Sequence, residues 1–187
     1  MVDKWAIELT SLLCTGRPMD EKDKARIQYG LQVILEEGIK IIFLILFFHS
    51  IHHQRYFYFS LLILLSTRVF AGGIHVKGTL NCLMLTVLMF LFTSVLAPRV
   101  PAIPTGTCLL MGTACFLIVL IKAPICSVQR PIKDKRKRMQ YKLTAALSVA
   151  FWTAVLVLLE STPYTNCGFG TLLLQSMQLL PVKKPKE

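Results

Sequence analysis

Hydrophobic residues fall into six apolar stretches along the chain, separated by short polar or proline-containing breaks. A helix needs about 20 mostly apolar residues to cross a hydrocarbon layer about 30 Å thick, and these stretches approach that length. The pattern therefore predicts an all-α polytopic membrane protein with six transmembrane helices. The predicted spans are Leu31–Phe48, Tyr56–Phe70, Leu80–Ala97, Thr107–Ile121, Leu143–Leu159 and Phe169–Leu180.

Residues 1–30 have a different pattern, in which charged side chains alternate with apolar ones such as Trp5 and Leu12. This mixture is typical of amphipathic helices that lie on a membrane surface. We therefore predict a single membrane-embedded domain over residues 1–187. It comprises amphipathic helices at the cytosolic face in residues 1–30, a six-span core in residues 31–182 and a basic tail in residues 183–187.

Composition and charge add an orientation to this picture. A hydrophobic content of 54% and a mean hydropathy of +0.58 exceed what a soluble core of this size needs. Basic residues concentrate between Lys122 and Lys142, and short cytoplasmic loops carry such an excess. Counting spans from that loop places both termini and the Gly72–Asn81 segment in the cytoplasm. Topology and anionic lipid contact account for the net charge of +11, so no nucleic-acid partner is predicted.

Candidate chemistry concentrates between Arg68 and Cys82, where spans two and three are joined. A cysteine attacks as its thiolate, which a nearby base, positive charge or a helix amino terminus favours. His75 can accept the thiol proton, and Arg68 supplies positive charge. Seven residues of straight helix would separate His75 from Cys82 by about 10 Å, so the chain must fold back at its glycines. The spacing alone equally fits a helical turn with a packing cysteine and a solvated histidine.

Two other classes of protein fit parts of the sequence. A non-enzymatic membrane transporter or binding protein would use Glu36, Glu37 and Lys40 in span one as ion-pathway residues. A metal protein would use the histidines at the opposite end of that span, His49, His52 and His53. No Cys-x-x-Cys pair occurs among the six cysteines, and we predict neither a metal nor another cofactor.

Four residues, Arg68, Gly73, His75 and Cys82, stand between two predicted spans in an arrangement that resembles the core of the accessory gene regulator B family. These are membrane peptidases of Gram-positive quorum sensing. The resemblance implies six spans, a bacterial cell membrane location, an active site on the cytoplasmic side and a homodimer. It extends to Tyr29–Val33, to the stretch from Ala123 to Ile132 and to Leu179–Pro181.

The function that this resemblance implies is that of a cysteine endopeptidase. Cys82 and His75 would be catalytic, with Arg68 and Gly73 supporting the oxyanion or the orientation of the site. The enzyme would cut a small precursor peptide near its carboxyl end through a Cys82 acyl-enzyme. A thiol or hydroxyl of the precursor would then capture the acyl group, giving a cyclic thiolactone or lactone without a cofactor.

The resemblance also implies a partner with an acidic carboxyl-terminal segment. We therefore expect basic residues of the loop before span five to bind the precursor peptide, in addition to the contacts that the protein makes with membrane lipids. Glu36 and Glu37 are candidates for a supporting layer around the catalytic pair. The expected peptide-binding residues are Lys135, Arg136, Lys137 and Arg138.

Overall fold

The computed structural model describes residues 2–14, 20–73, 79–125, 134–159 and 162–180, and all regular secondary structure in these ranges is helical. The predicted all-α class is therefore confirmed. α4 continues through a π-helical stretch, Phe92–Leu96, into a 3-10 turn, Ala97–Arg99. The helices are α1 Val2–Cys14, α2 Glu21–Ser50, α3 Gln54–Ala71, α4 Thr79–Leu91, α5 Thr105–Lys122, α6 Lys135–Leu158 and α7 Pro163–Met177.

Each of the six predicted spans overlaps one of the helices α2 to α7. Three helical segments within the described ranges are both long and apolar enough to cross a membrane: Leu80–Arg99, Thr105–Lys122 and Lys135–Leu158. Most of their side chains lie on the outside of the protein, as lipid contact requires. α7 has 15 residues, fewer than the about 20 that a helix needs to cross alone. The full count of six crossings and the location of the termini stay predictions.

The division between residues 1–30 and the six-span core stays a prediction, and residue 30 lies within one helix, α2, from Glu21 to Ser50. No proline interrupts this segment, and Gly30 lies in the helix interior. Asp20 has extended backbone immediately before the helix, and Glu21 and Asp23 lie in its first turn, where the helix dipole favours acidic groups. The charged segment after Asp20 is therefore the first part of α2 and not a separate helix.

The chain groups into two compact units, Met1–His52 and His53–Glu187. In the first unit α1 packs on α2. Ala6 and Thr10 of α1 are buried, whereas Trp5 and Leu12 are exposed. The first helix thus presents large apolar side chains on its outer side, as expected of an amphipathic surface helix. That residues 1–187 act as one domain stays a prediction.

The core of the second unit lies among α3, α5, α6 and α7. Its helices approach closely at two glycines: a Cβ atom at Gly112 would overlap Thr153, and one at Gly168 would overlap Leu156. Small residues allow helices in a membrane to pack with their backbones close together. α6 is therefore held tightly between α5 on one side and α7 on the other.

α7 is tied to its neighbours by polar groups. Its amino terminus has a capping box of Thr162 and Thr165, which satisfies backbone groups that the helix itself cannot. Further along, the Thr171 hydroxyl contacts the Ser60 hydroxyl of α3, and Ser60 also donates to Thr93 Oγ1 at 2.9 Å. Ten α7 residues are buried. The helix is therefore an interior element and not one that faces lipid.

We expect Gly112→Leu to lower the thermal unfolding midpoint of the protein purified in detergent. The Thr153 hydroxyl donates a hydrogen bond to Val149 O at 2.8 Å, so this side chain cannot easily move away from a larger residue at position 112. Overpacking of this kind costs about 1–3 kcal/mol of stability. Gly106→Leu in the same helix is the control, since no heavy atom lies within 4 Å of a Cβ at Gly106. Equal effects of the two substitutions would contradict the close α5–α6 contact.

Candidate active site

α3 ends at Gly72, where the backbone turns with φ at 78°. The Gly72 amide donates to Arg68 O at 2.8 Å. A Cβ atom at Gly72 would lie 2.5 Å from Ile125 O, and the Ile125 amide donates to Ala71 O at 3.0 Å. A glycine is needed here for both reasons, the positive φ and the close backbone approach. The helix thus ends at the first of the predicted glycines, whereas the predicted return of the chain toward Cys82 passes through residues 74–78, outside the described residues.

Gly73 lies against the side chain of Arg68. A Cβ atom at Gly73 would be 3.1 Å from Arg68 Cζ and 3.3 Å from Arg68 Nε. The absent side chain therefore leaves room for the guanidinium. On α7, Gln178 Oε1 accepts a hydrogen bond from Arg68 Nη1 at 3.1 Å. The half-buried Arg68 is thus confined by the backbone at Gly73 and oriented by α7.

Cys82 lies in the first turn of α4, which begins at Thr79. Its side chain is buried, with 9% exposed. Thr86, one turn further along the helix, donates from its hydroxyl to Cys82 O at 2.8 Å, and Phe90 is buried one turn beyond that. The thiol therefore stands at the start of the inward face of α4. A helix amino terminus favours a negatively charged group such as a thiolate.

A cavity of about 10 Å³ lies between α3, α4 and α7. Arg68 of α3 and Thr86 and Met89 of α4 contribute to its lining, together with the hydroxyl-bearing Thr93 and Thr171. A space of this size holds about one water molecule, and most of its lining is apolar. Arg68 therefore reaches the same inward face of α4 that begins with Cys82.

Two glutamines of α7 and its carboxyl end contribute to this region and were missed in the sequence. Gln175 Nε2 donates to Gly72 O at 2.8 Å, while its Oε1 is buried without a hydrogen-bond donor among the described residues. Gln178 bonds to Arg68 and also donates to Met89 Sδ at 2.8 Å. Two glutamines, three residues apart in a predicted transmembrane helix, are a usable signal, because polar side chains there are costly unless they have partners.

His75 lies in residues 74–78, outside the described residues. Its distance from Cys82 therefore stays a prediction. Residues 126–133 of the basic loop and the predicted basic tail, 183–187, also lie outside the described part of the chain.

The predicted peptide-binding residues, Lys135 to Arg138, form the first turn of α6. The first three are exposed and Arg138 is half-buried. Asp134 caps the helix by accepting from the Arg136 amide at 2.8 Å. Basic side chains at a helix amino terminus are disfavoured by the helix dipole. Helix stability therefore does not explain why these residues are basic.

The carboxylates of α2 have partners within their own helix. Glu37 accepts from Lys40 Nζ at 2.8 Å, and Glu36 accepts from Gln32 Nε2 at 3.2 Å. Both belong to the first unit and Cys82 to the second, so their supporting role stays a prediction. In the described ranges, which include the histidines at the end of α2, no group of three or more His, Cys, Asp or Glu side chains is arranged to hold a metal ion.

Comparisons with known proteins show which family the chain belongs to. The family model described as Accessory gene regulator B matches residues 7–179. A protein of Clostridium beijerinckii, named "Putative AgrB-like protein", is 32% identical over 162 residues, which cover 87% of this chain and 79% of the relative. No solved structure matches the chain. The chain belongs to the accessory gene regulator B family, which takes part in accessory gene regulator quorum sensing.

Proposed function

We propose that this protein is a membrane-embedded cysteine endopeptidase that cleaves the carboxyl-terminal part of a small precursor peptide. Cys82 is the nucleophile and His75 is the base. The observation that carries this proposal is that Arg68 lines a small cavity with Thr86, which stands one helical turn after Cys82 on the inward face of α4 and bonds to Cys82 O. Membership in the accessory gene regulator B family supports the choice of a peptide of quorum sensing as substrate.

The proposed reaction has two steps at one thiol. The Cys82 sulfur attacks the scissile carbonyl carbon while His75 accepts the thiol proton and passes it to the leaving amine. The peptide C–N bond breaks, and a thioester joins the precursor to Cys82. A thiol or hydroxyl within the precursor then attacks the carbonyl carbon of this thioester, and the bond to the Cys82 sulfur breaks. The proton of the attacking group is transferred to the Cys82 sulfur, which restores the free thiol. The product is a cyclic thiolactone or lactone, and neither step requires a metal or another cofactor.

Arg68 supports this chemistry through its charge. Its guanidinium is permanently positive and carries five N–H donors, which suit either an oxyanion or a peptide carboxylate. The side chain is half-buried, and electrostatic interactions are stronger where water is scarce. Gly73 contributes by leaving the guanidinium its space. We assign Arg68 a supporting role on the inward face of α4, the face on which the proposed nucleophile stands.

The proposed topology puts this site on the cytoplasmic side of the bacterial cell membrane, with six spans, both termini inside and two copies forming a homodimer. The basic first turn of α6 suits two roles, because short basic segments stay in the cytoplasm and attract acidic partners. Its four residues bind the acidic carboxyl-terminal segment of the precursor in this proposal. Membrane lipids cover the exposed apolar surfaces of α4, α5 and α6.

One observation favours a second candidate, a non-enzymatic membrane transporter or binding protein. The Lys40 side chain is 7% exposed and pairs with Glu37 inside an otherwise apolar part of α2. Buried ionisable groups in membrane helices commonly mark ion or substrate pathways. This alternative requires that Cys82 can be replaced without loss of function.

Cys82→Ala and Cys82→Ser are expected to abolish precursor cleavage when the protein is co-expressed with a short peptide gene adjacent to its own. Both remove the sulfur on which the acyl-enzyme forms, and serine is a far weaker nucleophile without activation. Mass spectrometry of the peptide products measures the result. Cys115→Ala is the matched control, because it removes a buried cysteine from the core of the same unit. Normal processing by both Cys82 variants would refute the peptidase proposal.

His75→Ala is expected to lose cleavage although Cys82 remains. The thiol also becomes less reactive without its base, so alkylation of Cys82 at pH 7, followed by peptide mapping, should be slower. His49→Ala, which changes an exposed histidine at the end of α2, serves as the control. An unchanged alkylation rate would assign thiol activation to the helix dipole and Arg68 instead.

Changing Lys135, Arg136, Lys137 and Arg138 together to glutamine is expected to weaken precursor binding roughly tenfold, since exposed charge pairs contribute less than about 1 kcal/mol each. Binding to the wild type should also weaken with added salt, because exposed charges are screened over about 8 Å at physiological ionic strength. Fluorescence anisotropy with a labelled precursor measures both effects.

The control for this quadruple variant replaces Lys22, Lys24 and Arg26, exposed basic residues of α2, by glutamine. Cysteine-accessibility mapping verifies that the loop before α6 keeps its side of the membrane. If the loop keeps its side while affinity and salt dependence match the wild type, these residues set topology only.

A further inference from the structure

We propose that Gln178 is a positioning residue that holds the Arg68 guanidinium toward the inward face of α4. This inference rests on the proposed peptidase function and adds a third helix, α7, to the active site. Arg68 and Gln178 are separated by 110 residues in the sequence and meet through a side-chain hydrogen bond of 3.1 Å. The contact joins the end of α3 to the end of α7.

The two ends of the Gln178 amide have different partners. Its Oε1 accepts from Arg68 Nη1 at 3.1 Å, and its Nε2 donates to Met89 Sδ at 2.8 Å. Met89 lies on α4, seven residues after Cys82 and therefore about two helical turns along the same face. An amide both accepts and donates, so these two contacts fix its orientation. Gln178 thereby links the cation of α3 to the helix that carries the proposed nucleophile.

A neutral partner suits this task better than an acidic one. A carboxylate at this position would form a strong ion pair with the guanidinium and would offset the charge that Arg68 supplies to the reaction. The Gln178 amide directs the guanidinium without adding a negative charge. On the other side, Gly73 confines Arg68 through its backbone, with a prospective Cβ only 3.1 Å from Arg68 Cζ.

The end of α7 is itself well anchored. The backbone N–H of Gln178 donates to Leu174 O at 3.1 Å, and the adjacent Leu179 is fully buried. One turn earlier, Gln175 Nε2 holds Gly72 O at 2.8 Å. A positioning residue is effective only when its own backbone is rigid. Gln178 meets this condition because its backbone is bonded to α7 and because Gln175, in the last turn of α7, is bonded to the turn at Gly72.

A double-mutant cycle tests the inference. Precursor cleavage is measured for the full-length wild type, Gln178→Leu, Arg68→Lys and the double variant in lipid nanodiscs. We expect Gln178→Leu to lower kcat/KM about tenfold or more, since small misplacements of a supporting group are costly. The loss should appear in the same parameter, kcat or KM, that Arg68→Lys changes. The kcat/KM of the double variant should be no lower than that of Arg68→Lys alone, because the two substitutions disrupt the same interaction.

Gln178→Glu provides a second test with a side chain of nearly the same size, which also applies if Gln178→Leu fails to fold. It keeps an acceptor for Arg68 but adds a negative charge, so we expect a loss of kcat/KM with an unchanged unfolding midpoint. Met177→Leu, at an exposed neighbouring position, is the control for general disturbance of α7.

Independent, additive losses in the cycle would overturn the inference, as would wild-type activity in Gln178→Glu or in Arg68→Lys. Failure of the proposed function is distinguishable, because it appears as equal products from the wild type and Cys82→Ala. The positioning role fails separately if the wild type cleaves, Cys82→Ala does not, and Gln178 variants match the wild type.

Discussion

The arrangement of the second unit depends on the need to pair polar groups that lie away from water. In a membrane interior an unsatisfied hydroxyl or amide costs several kcal/mol (about 2–7 by transfer measurements), so such groups must find partners within the protein. Ser60 meets Thr93 and Thr171 in this way, and Trp152 Nε1 donates to Ser66 Oγ at 2.7 Å. These contacts fix the rotation of each helix about its own axis, which apolar packing alone does not do.

The same constraint explains how α7 can carry polar side chains although most of the helix is buried. α7 carries Asn166, Thr171 and Gln175 on buried positions. Asn166 bonds to the backbone after α4, donating to Val100 O at 2.8 Å, while Gln175 bonds to the backbone after α3. α7 therefore organises both ends of the unit. The apolar surfaces of α4, α5 and α6 remain largely exposed.

The sequence was sufficient to predict the helices and the break in the chain after α3, since both follow from local rules. Apolar length predicts a helix in each of the six spans, and adjacent glycines predict the end of α3 at Gly72. It did not predict that one helix continues through residue 30, because a change from charged to apolar composition does not break a helix when no proline or turn is present. The helix that contains Gly30 simply continues.

Contacts between distant segments could not be predicted in this way. Gly73 looked like a residue of the bend, and only the fold shows that its missing side chain makes space for Arg68. Gln178 is 110 residues from Arg68, and no spacing rule connects them. Without a second sequence to compare, polar residues in an apolar span indicate that partners exist but not which ones.

The length of α2 has a consequence for how the first unit responds to its surroundings. Its 30 residues make a rod about 45 Å long at 1.5 Å per residue, whereas the hydrocarbon layer is about 30 Å thick. In the predicted topology, in which α2 provides the first span, about three turns of this helix would stand outside that layer or be drawn in by tilting. Because α1 packs on α2, the same predicted topology would make the height of α1 above the membrane depend on the local thickness of the bilayer.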